Sequence, residues 1–261
     1  MSSRFSRALA GFQKARHFSQ NVYAVEGEHV ARPVIYLRNH KAACTTIIAT
    51  LAARAARKQG REAEFSDIGE MHRSRHDAFA PTRAISLEEC YEKVTAPESF
   101  TFSFVRHPLQ RAASAFADKV MGSPRHRVKL LRVLGRAKDE SLTFPEFIRA
   151  LVENEKALDL DRHWRPQHKE LAVEGVSYDY LGAMDHLSRD LPPLLDTVFG
   201  VSSDASEREA PTVDARRVFG HRTRSADLMD QLHASERRAF EAAMAEDYAL
   251  YEDALTRRYE G

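Results

Sequence analysis

Residues 33–58 read PVIYLRNHKAACTTIIATLAARAARK, and the fold turns on how that stretch is parsed. Val34-Ile35-Tyr36-Leu37 is a short apolar run behind Pro33, the length of one buried strand. The Ala-, Leu- and Arg-rich end predicts a helix, with Thr45 or Thr46 near its N-terminus. Between them a tight turn carries His40, Lys41, Cys44, Thr45 and Thr46. A strand that turns sharply into a helix presents unpaired N–H groups and the positive end of the helix dipole, which suits an anion. Lys41 adds a mobile charge and the threonines add hydroxyl donors. The pattern G-x-x-x-x-G-K-[ST] is absent, because no glycine occurs from Arg38 to Thr46. An ordinary strand-to-helix turn with a surface lysine is the competing reading of this stretch taken alone.

A second unit of the same kind lies downstream. Phe100-Thr101-Phe102-Ser103-Phe104-Val105 is strongly β-prone and ends in Arg106-His107-Pro108, after which LQRAASAFADKV reads as a helix with Pro108 in its first turn. Ligands of open parallel sheets bind outside the carboxyl ends of the strands. Two such units, one offering Lys41 and the other Arg106 and Ser114, are therefore able to converge on one polyanion.

At 261 residues the chain is long enough for a sizeable core and needs one domain. We expect a single domain over 1–261, with an N-terminal helical extension over 1–30 and a core over 33–255. A net charge of +1 gives no global attraction to nucleic acid or membrane, so any basic site is local. The cysteines, Cys44 and Cys90, stand far apart, which indicates neither a disulfide framework nor a metal-ligand spacing. No run approaches the ~18 apolar residues of a membrane span. The first residues lack the apolar core of a signal peptide. These features read as a cytoplasmic, bacterial protein with no transmembrane segment, no nucleic-acid partner and no metal.

Residues 3–19 read as a short amphipathic helix, 62–68 as a strand leading to a polar loop with His72 and His76, and Ser86 to Val94 as a helix opened by a capping box. The basic segment 123–141 reads as a solvated helix with an apolar stripe or as the wall of an acidic-substrate cleft. Thr143 opens another helix. Asp161-Arg162-His163-Trp164-Arg165-Pro166-Gln167 fits neither period and reads as a substrate loop or a core plug. Tyr178 to Leu181 reads as a strand and Leu187 to Phe199 as a helix. Segment 202–217 reads as a mobile loop, and a helical tail runs from Ser235. Arg222 and Arg224 sit in a late loop, either solvated or covering an anion.

Taken in order, these stretches resemble the sulfotransferases that use 3′-phosphoadenosine 5′-phosphosulfate, specifically the membrane-type carbohydrate sulfotransferase family and its bacterial relatives. His40-Lys41-Ala42-Ala43-Cys44-Thr45-Thr46 is similar to that family's 5′-phosphosulfate loop, and Phe104 to Phe116 to its 3′-phosphate motif. His163-Trp164-Arg165-Pro166-Gln167, Tyr178 to Gly182, and Leu187 with Asp190 resemble its downstream signature. The resemblance spans about residues 33–255. It implies an α/β fold: a three-layer, P-loop-NTPase-like domain with a mostly parallel central sheet flanked by helices. It implies that the loop from His40 to Thr46 holds the 5′-phosphosulfate, with Lys41 stabilising the leaving group, and that Arg106 and Ser114 hold the 3′-phosphate; Arg222 is the candidate in the late loop to cover that phosphate. It implies a hydroxyl-bearing acceptor (a carbohydrate, glycolipid or small alcohol), adenosine 3′,5′-bisphosphate as product and no required metal.

His163 and Trp164 are the expected acceptor contacts. His72 is the first candidate for the general base and His76 the second, with His40 and His163 behind them, because an unperturbed histidine titrates near neutrality. Secretory-pathway members carry cysteines after the His-Trp-x-Pro-Gln motif, and 168–175 has none. His107 stands where an acidic residue is common, and Phe116 replaces a tyrosine. The alternatives are a kinase-like phosphotransferase, which the missing glycines oppose, and a non-catalytic nucleotide-binding protein, which intact Lys41, Arg106 and Ser114 oppose.

Overall fold

The computed structural model describes residues 3–10, 12, 16–28, 30–61, 79, 80, 82, 84–200 and 226–260. The expected strand over 62–68, the loop bearing His72 and His76, and the segments with Arg222 and Arg224 lie outside the described residues.

Four strands form one sheet in the order β1 (Val22–Val25), β2 (Val34–Leu37), β3 (Phe100–Val105), β4 (Tyr180–Ala183). β2, β3 and β4 run parallel, with Val34 opposite Phe100 and Phe102 opposite Tyr180, whereas β1 is antiparallel to β2 with Tyr23 opposite Tyr36. All four strands are buried along their length. That explains why they read as continuous apolar runs and not as alternating ones. The sheet has helices on both faces. On one, Tyr36, Phe102, Phe104 and Tyr180 meet helix α3 (Cys44–Lys58), through Ile47, Ile48 and Leu51, and the helix Leu187–Phe199, through Leu191, Leu194 and Val198. On the other, Ile35, Leu37, Leu181 and Ala183 meet Phe5 and Ala8 of α1 (Ser3–Ala10), Phe18 of α2 (Arg16–Asn21), Cys90 and Val94 of α4 (Leu87–Thr95), and Tyr251.

A third apolar cluster lies beyond the sheet. It joins α5 (Pro108–Ala115) to α6 (Pro124–Val133), α7 (Phe144–Glu153) and the helix Ala234–Ala243 around Phe116, Leu130, Phe147, Trp164 and Phe240. The capping boxes expected at Ser86 and Thr143 are both formed, through Glu89 and Glu146.

Four expectations need correction. The N-terminal segment is not wholly helical, because Val22-Tyr23-Ala24-Val25 is a β-prone run that buries both faces by pairing with β2. The helix expected over 3–19 is two short helices, Ser3–Ala10 and Arg16–Asn21. The fourth strand begins at Tyr180 instead of Tyr178, since the Tyr178 hydroxyl donates to Leu171 O and the Asp179 carboxylate accepts from Thr101 N. The helix expected to run through Lys119 is α-helical only to Ala115 and then widens into a π turn, Phe116–Met121. Such widened turns re-aim side chains and recur at functional sites.

Gly175 marks where α1 docks. A Cβ there would sit 2.5 Å from Ala8 Cβ and 2.6 Å from Arg4 O, and the Gly175 carbonyl already accepts from the Tyr91 hydroxyl at 2.8 Å. Backbone atoms cannot retreat as a flexible side chain would. Gly175→Ala is expected to cost about 2 kcal/mol and to free α1. Thermal unfolding and limited proteolysis near residue 10 measure both effects, and an unchanged midpoint would refute this account of the docking.

Candidate functional site

The site lies where β2 and β3 end side by side. After Leu37 the chain turns through Arg38 to Ala43 into α3, and it makes the turn without glycine by placing Lys41 at φ 66 and Ala43 at φ 57. Each left-handed L-residue costs about 1–2 kcal/mol, so the surroundings must hold the loop in place. Asn39, fully buried, does part of this, donating from Nδ2 to Phe104 O at 3.1 Å and to Gln167 Oε1 at 2.8 Å. No side chain caps α3 at Ala43, and Thr45 and Thr46 occupy its first turn. The first N–H groups of a helix have no acceptor within it, and the dipole adds positive potential there. Sequence reasoning saw this turn correctly but not its strain.

Gln167 joins the two strand ends. Its Oε1 also accepts from Arg106 N at 2.9 Å and its Nε2 donates to Arg106 O at 2.8 Å. Arg106 in turn donates from Nη1 to Lys41 O at 3.2 Å, so the two basic residues flagged in separate motifs share one locus. Asp247 holds Gln167 from behind, accepting from the N–H groups of Gln167 at 2.7 Å and His168 at 2.9 Å. Arg111 forms a second tie. Its buried guanidinium donates to His40 O at 2.8 Å, Arg165 O at 2.7 Å and Arg162 O at 3.0 Å, bolting the Lys41 loop to the 161–167 segment.

Lys41 Nζ donates to Asp118 Oδ2 at 2.9 Å, and Lys119 reaches the same oxygen at 3.1 Å. Burial raises the Asp118 pKa, but the two ammonium groups outweigh it and bring the carboxyl down to about 2. The π turn brings Asp118 here, which no periodicity signals. His40 is buried, and its Nδ1 lies 3.0 Å from Glu170 Oε1, an oxygen that also accepts from Asn21 Nδ2 at 2.6 Å. Burial, with the Arg38 charge, holds His40 well below its ordinary pKa, while burial pushes the Glu170 carboxyl up. This histidine is a buried support of the loop.

The 161–167 segment divides. Trp164 belongs to the core: it is 3% exposed, donates from Nε1 to Ala157 O at 2.9 Å and packs against Phe147. Of the two readings open for it, the core plug holds, because the indole has a buried partner and the ring a buried neighbour. His163 faces the other way, its ring 4.9 Å from that of His40 and 5.8 Å from that of His126. His126, Asp161 and His163 bring ligand-type atoms within 4.8 Å of one another. Lys119, Lys41, Lys129 and Arg125 impose positive potential on these two histidines, which opposes a divalent cation as it opposes protonation. We read the group as a hydrogen-bonded cluster.

Ser114 is buried on α5, Ala42 is buried in the loop, and Cys44 is half-buried at the start of α3. The basic helix α6 buries Leu130 and Leu131 and exposes Arg125, Lys129 and Arg132 beside His126. The residues that sequence reading missed are the polar ties: Asn39, Arg111 and Asp247, which are buried, and Asp118 and Asp161, which are half-buried. A faint signal exists for Arg111, the one charge in the small-residue run Leu109 to Ala115.

Gln167→Leu would leave Asn39 and both backbone groups of Arg106 without their buried partner. An unsatisfied buried group costs about 1–3 kcal/mol, so a loss of at least about 2 kcal/mol in chemical denaturation is expected. A variant within 0.5 kcal/mol of wild type would refute the clamp.

Residues 23–252 match the model of the Sulfotransferase family. Carbohydrate sulfotransferase 14 of Mus musculus and of Homo sapiens are each 31% identical to the chain over 108 residues, which cover 38% of it and 28% of the relative. The Danio rerio protein of the same name is 29% identical over 110 residues, covering 38% of the chain and 30% of the relative. The matched region thus spans under a third of the length of these relatives. No solved structure matches the chain at the same stringency. With the family match running through the Lys41 loop, the Arg106 strand end and the Gln167 clamp, the chain belongs to the Sulfotransferase family.

Proposed function

We propose that this chain transfers a sulfuryl group from 3′-phosphoadenosine 5′-phosphosulfate to a hydroxyl of a carbohydrate. The observation that carries this reading is the junction of Lys41 and Arg106: two cations from different strand ends, tied through Lys41 O, beside the uncapped N-terminus of α3. The chemistry of that donor set suits a ligand with two anionic ends. Lys41, Thr45, Thr46 and the first N–H groups of α3 would hold the phosphosulfate, while Arg106 and Ser114 would take the 3′-phosphate. Glycolipids and small alcohols are the other candidates for the acceptor; the names of the relatives favour carbohydrate.

Sulfuryl transfer is an in-line displacement in which positioning and electrostatic stabilisation do most of the work. Lys41 would donate to the bridging oxygen as negative charge develops on it, in a site where buried ties keep the loop from relaxing. The local positive field substitutes for solvent at the highly charged centre. Exposed Arg125, Lys129 and Arg132 on α6 favour an acceptor that itself carries negative charge. A single catalytic domain over about 33–255, three-layered and P-loop-NTPase-like, is the architecture this reading assigns. A cytoplasmic setting accords with Cys44 and Cys90 both being free thiols.

The test is calorimetric binding of adenosine 3′,5′-bisphosphate against AMP and ATP. Wild type should prefer the bisphosphate, and Arg106→Ala should abolish the preference. Lys41→Ala should weaken binding about tenfold to a hundredfold, the worth of a hydrogen bond to a charged group. Equal binding of all three, or binding of ATP with Mg²⁺ alone, would sink the proposal and favour the kinase-like alternative. Asp118→Asn removes the carboxylate that competes for Lys41 and should tighten bisphosphate binding by up to about fivefold. Weaker binding would mean that Asp118 helps to hold the ligand.

A further inference from the structure

The site needs a group to take the proton of an incoming hydroxyl, and the 161–163 turn has the geometry for one. Asp161 Oδ1 accepts from the backbone N–H of His163 at 3.0 Å and faces His163 Nδ1 at 2.5 Å. Asp161 Oδ2 lies 3.5 Å from His126 Nε2, and His126 Nδ1 is within 2.8 Å of Ser123 Oγ. Asp161 is therefore held on both oxygens; burial raises its carboxyl, but the hydrogen bonds from His163 outweigh that and bring it down to about 2, so it is ionised and can only accept. That requires the proton of a neutral His163 to sit on Nδ1, which turns the Nε2 lone pair outward. Among the described residues no hydrogen bond to Nε2 is found, and the side chain keeps 18% of its surface exposed. Because Arg111 bonds to His40 O, Arg162 O and Arg165 O, this turn cannot drift from the Lys41 loop.

We propose that His163, aligned by Asp161, is the general base of the transfer. The assignment rests on the sulfuryl-transfer reading above. The acceptor oxygen forms a bond to sulfur, the bond from sulfur to the bridging oxygen breaks, and the hydroxyl proton passes to His163 Nε2. The electron pair of the broken bond stays on the departing bisphosphate, where Lys41 stabilises it. Asp161 is a positioning residue: it fixes the tautomer and stabilises the imidazolium that forms.

The groups facing His163 are Asp161, His126 and His40 around the ring, with Lys41 and Lys119 acting through their charge. Burial, with these two lysines, holds the ring at about 4 against the pull of Asp161. A polyanionic donor at Lys41 neutralises part of that field, so donor binding moves His163 toward neutrality and improves it as a base. The base is thus coupled to an occupied donor site.

Four measurements on the full chain test this. In ¹⁵N-labelled protein, His163 should be protonated on Nδ1, and its pKa should rise by at least one unit when adenosine 3′,5′-bisphosphate is added. A ring protonated on Nε2 in the complex, or a pKa that does not move, overturns the proposal without any acceptor being needed. For His163→Gln, consumption of ³⁵S-labelled donor with a pool of methyl hexosides should fall about a hundredfold or more while bisphosphate affinity stays within twofold. Consumption within threefold of wild type, with binding intact, also overturns it, whereas failure of wild type to bind the bisphosphate sinks the donor reading instead. Imidazole should restore turnover to His163→Gly. Asp161→Asn should lower the plateau rate about tenfold and shift the acid limb to lower pH, because losing the carboxylate charge makes the ring less basic. An unshifted limb would remove Asp161 from its positioning role.

Discussion

The buried guanidinium of Arg111 is the constraint on which the site depends. A cation taken out of water must recover its hydration from fixed partners, and here the partners are three carbonyls from three residues, His40, Arg162 and Arg165. Burial pulls the Arg111 pKa down, while Asp247 and Glu170 push it back up through their charge. Such a group tolerates little displacement, because each carbonyl that moves away leaves a buried donor unsatisfied. Two loops that are far apart in the chain are thereby held at a fixed separation.

The Gln167 clamp works by the same logic at the ends of β2 and β3. A neutral amide with both donors and acceptors can bind Asn39 and both backbone groups of Arg106 at once, which a charged side chain cannot do. With the loop pinned this way, Lys41 and Ala43 can remain left-handed without glycine. Rigid backbone and strained φ are what a preorganised anion site requires, since reorganisation would otherwise have to occur at the moment of reaction.

Electrostatics then divides the site into mobile and fixed parts. Lys41 and Asp118 are partly exposed partners that can exchange one another for a ligand. His40, Glu170 and Arg165 are buried and exchange nothing. The chain as a whole carries a net charge of +1, so this positive locus is a product of folding and leaves no trace in the total.

Much of the scaffold was legible in the chain. The apolar runs at Val34–Leu37 and Phe100–Val105, the capping boxes at Ser86 and Thr143, and the basic residues just past the strands are local patterns with local physical causes. A strand long enough to be buried, followed by a turn and a helix, places Lys41 and Arg106 at carboxyl ends whatever the rest of the molecule does. The antiparallel β1 was illegible because four residues, Val22 to Val25, become a strand only once β2 offers a partner. The π turn at Phe116–Met121 and the meeting of Asp118 with Lys41 depend on helix packing around Phe116 and Phe147, not on any period. Trp164 and His163 are adjacent in sequence, yet Trp164 is buried in the core while the His163 ring packs against that of His40. The sequence by itself determined which residue types stand at the strand ends, because propensity and hydrophobic pattern act over a few neighbours. Only the tertiary structure decided which buried polar groups tie those ends together, because a hydrogen bond between residues far apart in the chain has no local signature.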